Sequence, residues 1–119
     1  MIKLKRAYEP ATRNDGRRVL VDRLWPRGVG KEAAKIAEWL RDLAPSPALR
    51  RWYGHDPARW TEFKRRYRAE LRSPARRRLL EALADEARRG TVTLVYAARD
   101  EERNSALIVR EALEKIPIA

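Results

Sequence analysis

Arginine side chains that could bind an anion follow two stretches of apolar, β-forming residues in the sequence. Arg23 and Arg27 follow the first stretch, and Arg99 follows the second. A guanidinium group can donate two parallel hydrogen bonds to one phosphate or carboxylate, so these arginines could hold a small anionic ligand. Asp22 and Asp100 are their neighbours in the sequence, and they could instead pair with the arginines in a structural network.

Other side chains in the same two segments could contact such a ligand. Trp25 could stack on a ligand ring, although a tryptophan beside a proline at a strand end more often only packs. Tyr96 and Asn104 could add polar contacts by the same reasoning. The predicted ligand-binding residues are Asp22, Arg23, Trp25, Arg27, Tyr96, Arg99, Asp100 and Asn104.

His55 is the sole histidine, and its side chain is the one that titrates naturally near neutral pH. It is therefore the candidate general acid or base if the protein is an enzyme. It directly precedes Asp56, a helix N-cap, so it could instead pack against that cap or hydrogen-bond to it. No nucleophile stands out, because Ser46 and Ser73 both precede prolines at helix boundaries, where a hydroxyl more often caps.

The composition excludes several classes of protein. Cysteine is absent, which excludes disulfides, thiolate catalysis and thiolate metal ligands. A single histidine also excludes zinc sites built on histidine clusters, so we expect neither a metal ion nor another cofactor. No apolar run approaches the roughly 20 residues that span a bilayer, and residues 1–6 lack the apolar core of a signal peptide. We therefore expect a cytoplasmic protein with no membrane partner.

The positive charge of the chain points to an anionic partner, since 28 basic and 17 acidic residues give a net charge of +11. The same excess could reflect a G+C-rich genome or the surface ion pairs of a heat-adapted protein. Residues 50–78 alone carry a net charge of +8, which indicates one positive surface. As an alternative function, this surface could bind a nucleic-acid backbone without sequence specificity. Its residues would be Arg59, Lys64, Arg65, Arg66, Arg68, Arg76, Arg77 and Arg78.

Three strands are predicted from the apolar patterns. Residues 2–8 alternate apolar and basic side chains, residues 18–24 are more continuously apolar, and residues 91–98 have the pattern of a buried central strand. The connection between the first two strands is too short for a crossover helix, which leaves the direction of the first strand open. We expect an α/β fold with a small, mostly parallel, three-stranded sheet.

About five helices are predicted to flank the sheet. An apolar stripe predicts a helix over 31–43, and a short helix is expected over 48–53. Asp56 and Ser73 each precede a proline, which is the start signal of two further helices. Asp100 is expected to cap the last helix. At 119 residues, the chain fits a single layered domain with one core.

The predicted sheet would bring the two arginine-bearing segments together. In an open α/β sheet, ligands bind outside the carboxyl ends of the strands, where helix N-termini present free N–H groups. If the strands over 18–24 and 91–98 are parallel, the segments that follow them meet at one edge. The sequence therefore predicts an anion-binding cleft at that edge, and it specifies no reaction there.

The segment 19–28, which reads Val-Leu-Val-Asp-Arg-Leu-Trp-Pro-Arg-Gly, resembles the YeaO-like branch of the uncharacterised family called domain of unknown function 488. Similar positions extend over nearly the whole chain, and they include Ala44-Pro45-Ser46, His55-Asp56-Pro57 and the stretch 93–104. The resemblance implies a compact α/β domain and supports the cleft residues as a set. It implies no activity, because none is established for the family.

Overall fold

Four parallel β-strands form the centre of the structure, a computed structural model that describes residues 1–117. They are β1 (Ile2–Arg6), β2 (Arg17–Leu20), β3 (Glu38–Trp39) and β4 (Val92–Tyr96), in the sheet order β1-β4-β2-β3. β4 is the buried central strand that the sequence predicts, and β1 pairs parallel to it. The α/β class is confirmed. The expected number of three strands is wrong, because β3 was not predicted.

The strand β3 lies within 31–43, the range predicted to be a helix. Only one helical turn forms there, α1 (Lys31–Ala34), and it ends where Lys35 adopts the left-handed conformation. The backbone N–H groups of Ala37 and Leu40 then donate to carbonyl oxygens at each end of β2, at 2.8 and 2.9 Å. These bonds with β2 replace helical hydrogen bonds, so the predicted helix is wrong and the chain forms an edge strand instead.

The apolar residues of this range pack on both faces of the sheet, not along one helical stripe. Leu40 and Leu43 join the large core cluster on one face. Ile36 and Trp39 pack against the smaller cluster around Leu20 on the opposite face. Apolar residues three and four positions apart can thus arise where a chain runs along a sheet edge, which is why the periodicity misled the prediction.

Four longer helices contribute to the large core cluster, namely α2 (Pro47–Tyr53), α3 (Trp60–Glu70), α4 (Pro74–Arg89) and α5 (Ser105–Glu114). Together with α1, they match the expected number of about five. The cap-and-proline signal at Ser73 is confirmed, since its hydroxyl caps α4. Within residues 1–117, no helix has the length and the apolar composition that crossing a membrane requires.

The last helix begins later than the sequence predicts. Its N-cap is Asn104, whose side chain accepts a hydrogen bond from the Leu107 backbone N–H at 3.1 Å. The predicted cap, Asp100, instead closes a turn in front of the helix, where it accepts from the backbone N–H groups of Glu102 and Arg103. Two capping residues therefore occur in succession, and the prediction chose the first.

Side chains that alternate along β2 and β4 divide the interior into two clusters. Val19 and Leu94 belong to the large cluster, on the face that the helices cover. Phe63 and Tyr67 of α3 are buried there, as predicted. Leu20 belongs to the smaller cluster, which loops and β3 cover. The sheet is therefore buried on both faces around its two central strands.

Asp15 is buried, and its carboxylate and backbone carbonyl together join three strands of the sheet. It accepts hydrogen bonds from Lys5 of β1 at 3.1 Å and from Arg18 of β2 at 2.7 Å. The Asp15 carbonyl oxygen accepts from the Thr93 hydroxyl of β4 at 2.6 Å. Burial opposes ionisation of the carboxyl, but hydrogen bonds from Thr12, Lys5 and Arg18 outweigh burial and hold the pKa of Asp15 far below its usual range.

Gly16 lets the connection between β1 and β2 approach β4 closely. Its φ is +62°, and a Cβ atom built there would lie 2.3 Å from the carbonyl oxygen of Thr91. The Arg17 backbone N–H donates to that same oxygen at 3.0 Å. Any side chain would push the start of β2 away from β4, so this position requires glycine.

Replacing Asp15 by alanine should destabilise the fold strongly, because the substitution leaves the Arg18 guanidinium buried without its carboxylate. We expect the free energy of unfolding at pH 7 to fall by about 3–5 kcal/mol. Since folding lowers the pKa of Asp15, its contribution is complete above about pH 4 and declines as the pH falls. Urea denaturation should therefore show a smaller difference between wild type and variant in acid than at neutral pH.

Asp85 of α4 provides a matched control. Its carboxylate pairs with Arg88 at 3.0 Å and with Arg89 at 2.7 Å, but on an exposed surface. Asp85→Ala should therefore cost much less stability than Asp15→Ala. Equal losses in the two variants would show that the burial of the Asp15 carboxylate does not anchor the sheet.

Candidate functional site

A cavity of about 660 Å³ lies at the edge of the sheet where β2 and β4 end. Because these two strands are parallel neighbours, the segments that follow them, 22–27 and 96–100, reach the same edge. The helical layer forms the other side, where the end of α2, Phe63 of α3 and Ser105 at the start of α5 line the cavity. The cavity is thus enclosed between strand ends and helices.

Every residue predicted for the cleft lines this cavity, including the candidate general acid or base. These residues are Asp22, Arg23, Trp25, Arg27, His55, Tyr96, Arg99, Asp100 and Asn104. Two further arginines, Arg50 and Arg103, also line it and were not predicted. Arg103 lies in the same loop as Arg99, and this proximity was a signal available in the sequence. Arg50 reaches the cavity through the packing of α2, which no local pattern reveals.

Ion pairing differs among the five arginines around the cavity. Arg103 pairs with Asp100 at 3.1 Å. Within residues 1–117, the other four have no carboxylate oxygen within 4.0 Å, and they are Arg23, Arg27, Arg50 and Arg99. In the same part of the chain, the buried Nε atom of Arg23 has no hydrogen-bond partner. The alternative of a structural network that neutralises the predicted arginines is therefore not what the structure shows.

Asp22 links the two strand ends at the base of the cavity. One oxygen of its carboxylate accepts a hydrogen bond from the Ala97 backbone N–H at 2.8 Å. Burial raises the pKa of Asp22 to about 6, although the Ala97 hydrogen bond and the positive charges of His55 and Arg50 act in the opposite direction. At neutral pH, Asp22 is therefore mostly a carboxylate that accepts hydrogen bonds, and it takes up a proton in mildly acidic conditions.

His55 lies on the exposed rim of the cavity, in a sharp turn after α2. Gly54 and His55 are both left-handed, with φ values of 53° and 58°, a conformation in which histidine is more frequent than most residues. The His55 ring lies 6.0 Å from the ring of Tyr53. Within residues 1–117, the imidazole hydrogen-bonds to no carboxylate. The structure thus brings His55 to the cleft without orienting it as a general base.

Two of the predicted ligand contacts also hold the local structure. Trp25 donates its indole N–H to the Val29 carbonyl at 2.7 Å and packs edge-on against Trp39, with ring centroids 5.5 Å apart. This is the packing role considered for Trp25. Asn104 caps α5 and also donates to the carbonyl oxygen of Asp100 at 3.1 Å. The polar atoms of these side chains therefore stabilise the cavity walls.

The basic surface considered for nucleic-acid binding is largely paired with its own acidic residues. Arg65 and Arg66 both pair with Glu62 at 2.7 Å on α3. Arg68 pairs with Glu111 of α5 at 2.9 Å. Glu62 is already counted in the net charge of 50–78, so only Glu111 of these two carboxylates offsets that excess from outside the segment.

The other members of this basic surface are also constrained. Arg59 pairs with a carboxylate at 3.7 Å, and Lys64 lies over an aromatic ring at 5.7 Å. Arg76 is partly buried beside the N-cap of α4. Within residues 1–117, only Arg77 and Arg78 of this set are exposed without an ion-pair partner.

Asp22→Asn should stabilise the protein at alkaline pH, because it removes a carboxylate whose ionisation is opposed by burial. Folding raises the pKa of Asp22, so its favourable contribution is complete below about pH 4 and is lost as the pH rises through about 6. The asparagine carbonyl can still accept the Ala97 hydrogen bond. At pH 8, urea denaturation should show a gain of about 1–3 kcal/mol, which disappears below about pH 4. A gain that is independent of pH would contradict this explanation.

Comparisons with known proteins identify relatives but no activity. An uncharacterised protein of Mycobacterium tuberculosis is 40% identical over 112 residues, which are 94% of this chain and 92% of that protein. The uncharacterised protein YeaO of Escherichia coli is 36% identical over 115 residues, which are 97% and 98% of the two chains. No solved structure matches the chain. A family described as "Inactive DUF488-N3 subclade" matches residues 1–116, so the chain belongs to the DUF488 family, as the segment 19–28 indicated.

Proposed function

We propose that this chain binds a small anionic ligand, which carries a phosphate or carboxylate group, in the cavity at the strand ends. The main support is the group of four arginines that line one cavity without acidic partners in residues 1–117. Elsewhere some arginines form ion pairs, such as Arg17 and Arg65, and exposed ones without a partner in residues 1–117, such as Arg77, do not line this cavity. Bringing like charges together costs free energy, and an anionic ligand would offset that cost.

The acidic groups of the cavity do not cancel this positive charge. Asp100 is already paired with Arg103. Asp22, whose pKa burial raises to about 6, contributes at most one negative charge against the four arginines. The N-terminus of α5 opens at the same place and adds partial positive charge. Because the walls exclude part of the solvent, an anion would be attracted more strongly here than at an exposed surface.

Several observations favour binding over catalysis. The matched family is described as an inactive subclade. His55 is exposed, and no carboxylate in residues 1–117 orients its ring. In the same part of the chain, no three acidic or histidine side chains come together as a metal site would require. We therefore propose a ligand-binding protein, in which His55 remains a candidate for proton transfer if a reaction occurs.

Arg27→Ala and Arg99→Ala should each weaken the binding of an anion, because each removes a charge-assisted hydrogen-bond donor from the cavity. Inorganic pyrophosphate and a panel of carboxylates can be tested by thermal shift and titration calorimetry. At 100 times its Kd, a ligand should stabilise the wild type by about 2.7 kcal/mol. Each substitution should reduce the affinity by about ten- to a hundred-fold.

Arg65→Ala is the matched control for these two variants, because Arg65 is exposed on α3 and already paired with Glu62. It should leave the affinity for the anion unchanged. If Arg27→Ala and Arg99→Ala bind as tightly as the wild type, the cavity is not the binding site.

Nucleic acid should bind weakly and only at low salt, because the basic surface of α3 is engaged in ion pairs. An electrophoretic mobility assay with duplex DNA and with RNA at two salt concentrations measures this. Arg77→Ala combined with Arg78→Ala should abolish any residual shift at low salt. A stable complex at physiological salt that requires Arg77 and Arg78 would favour the nucleic-acid function instead.

A further inference from the structure

The cavity has two chemically different sides, and this difference bears on what the proposed anionic ligand contains. The loops that follow β2 and β4 contribute Arg23, Arg27 and Arg99. On the opposite side, α2 contributes Arg50, and Pro45 lies there beside the edges of the buried Tyr53 and Phe63 rings. A ligand that fills the cavity therefore meets three arginines at the strand-end loops and a more apolar lining, with one arginine, at the helices.

The aromatic side is rigid. The rings of Tyr53 and Phe63 are stacked, with centroids 4.3 Å apart, and both side chains are buried in the core. Phe63 also stacks on Trp60 at 5.6 Å. Because their faces pack on one another, these rings offer only their edges to the cavity, and a flat ring can pack edge-to-face against them without reorganising the core.

The volume of the cavity also exceeds what a simple anion needs. About 660 Å³ is within the range of cavities that hold cofactor-sized or drug-sized molecules. Phosphate, pyrophosphate or a small carboxylate would contact the arginines and leave the aromatic side unoccupied. The ligand therefore combines its anionic group with a substantial uncharged part.

Asp22 places a third requirement on the chemistry of the ligand. Its carboxylate lines the cavity, and one oxygen accepts from the Ala97 N–H while the other accepts no hydrogen bond within residues 1–117. A carboxylate repels phosphate, so the anionic group of the ligand must lie away from it. The free oxygen instead suits a neutral donor, such as a ribose hydroxyl or the N–H of a heterocycle.

We propose that the ligand is a nucleoside phosphate, whose phosphate groups bind Arg23, Arg27 and Arg99, whose base lies on the aromatic side, and whose sugar or base donates to Asp22. This inference rests on the proposed anion-binding function and specifies the ligand class. The three guanidinium groups of Arg23, Arg27 and Arg99 match the two or three negative charges of a nucleoside diphosphate better than one carboxylate. A sugar phosphate without a base would leave the apolar lining beside Tyr53 and Phe63 without a partner.

Titration calorimetry at constant ionic strength tests the proposal with four kinds of probe, which are nucleoside diphosphates (ADP and UDP), the parent nucleosides, inorganic pyrophosphate and ribose 5-phosphate. At least one nucleoside diphosphate should bind about tenfold or more tightly than pyrophosphate, ribose 5-phosphate and its own nucleoside. Arg27→Ala should reduce the affinity for the diphosphate to that for the nucleoside. Arg65→Ala should change none of these affinities.

Asp22→Asn should change the affinity for nucleosides and the affinity for pyrophosphate in different directions. It should weaken the nucleoside and the nucleoside diphosphate about tenfold, because the carboxylate acceptor is lost. It should leave pyrophosphate binding unchanged or tighten it, because a repelling charge is removed. A variant that merely distorts the cavity would weaken both, and that result would overturn the role assigned to Asp22.

The outcomes separate this inference from the function on which it rests. If pyrophosphate binds as tightly as the nucleoside diphosphates and depends on Arg27, the chain binds anions but the nucleotide assignment is wrong. If nucleosides bind as tightly as their diphosphates, the phosphate assignment is wrong. If none of the four probes binds, the nucleotide inference is wrong, and if the panel of carboxylates also fails to bind, the proposed function is wrong as well.

Discussion

The sheet depends on one buried residue, Asp15. Its carboxylate accepts hydrogen bonds from β1 and β2, and its backbone carbonyl oxygen accepts one from β4. The connection from β1 to β2 contains no crossover helix, and little apolar surface holds it in place. The polar contacts of Asp15, together with the close approach allowed at Gly16, hold β1 and β2 on either side of β4 in parallel register. Without that register, the carboxyl ends of β2 and β4 would not lie side by side, and the strand-end side of the cavity would not form.

Arginine has two different uses in this chain, although the sequence shows only one excess of charge. On α3, arginines pair with nearby carboxylates, as Arg65 does with Glu62, whereas Arg77 and Arg78 of α4 are exposed without an ion pair within residues 1–117. Around the cavity, Arg23, Arg27 and Arg99 also lack such partners within the described residues. What distinguishes the cavity is that unpaired arginines from separate segments of the chain line one space.

The sequence predicted the features that depend on local patterns. The continuous apolar run over 91–98 correctly predicted β4. The polar residues that follow β2 and β4 predicted the cavity segments, because the ends of neighbouring parallel strands lie at the same edge of a sheet. The strand at Glu38–Trp39 was missed, since its hydrogen bonds come from β2, and the apolar spacing around it imitates a helix. Arg50 was missed for a similar reason, because the packing of α2 brings it to the cavity. The start of α5 was misplaced because Asp100 and Asn104 both have capping side chains.

The hydrogen bond between the Ala97 N–H and the Asp22 carboxylate makes one backbone amide part of both the sheet and the cavity. In a regular ladder, this N–H would pair with a carbonyl oxygen and would exchange its hydrogen only when the strands separate. Here the acceptor is a side chain that lines the cavity and whose pKa burial raises to about 6. Hydrogen exchange at Ala97 should therefore depend on the state of the Asp22 side chain as well as on separation of the strands.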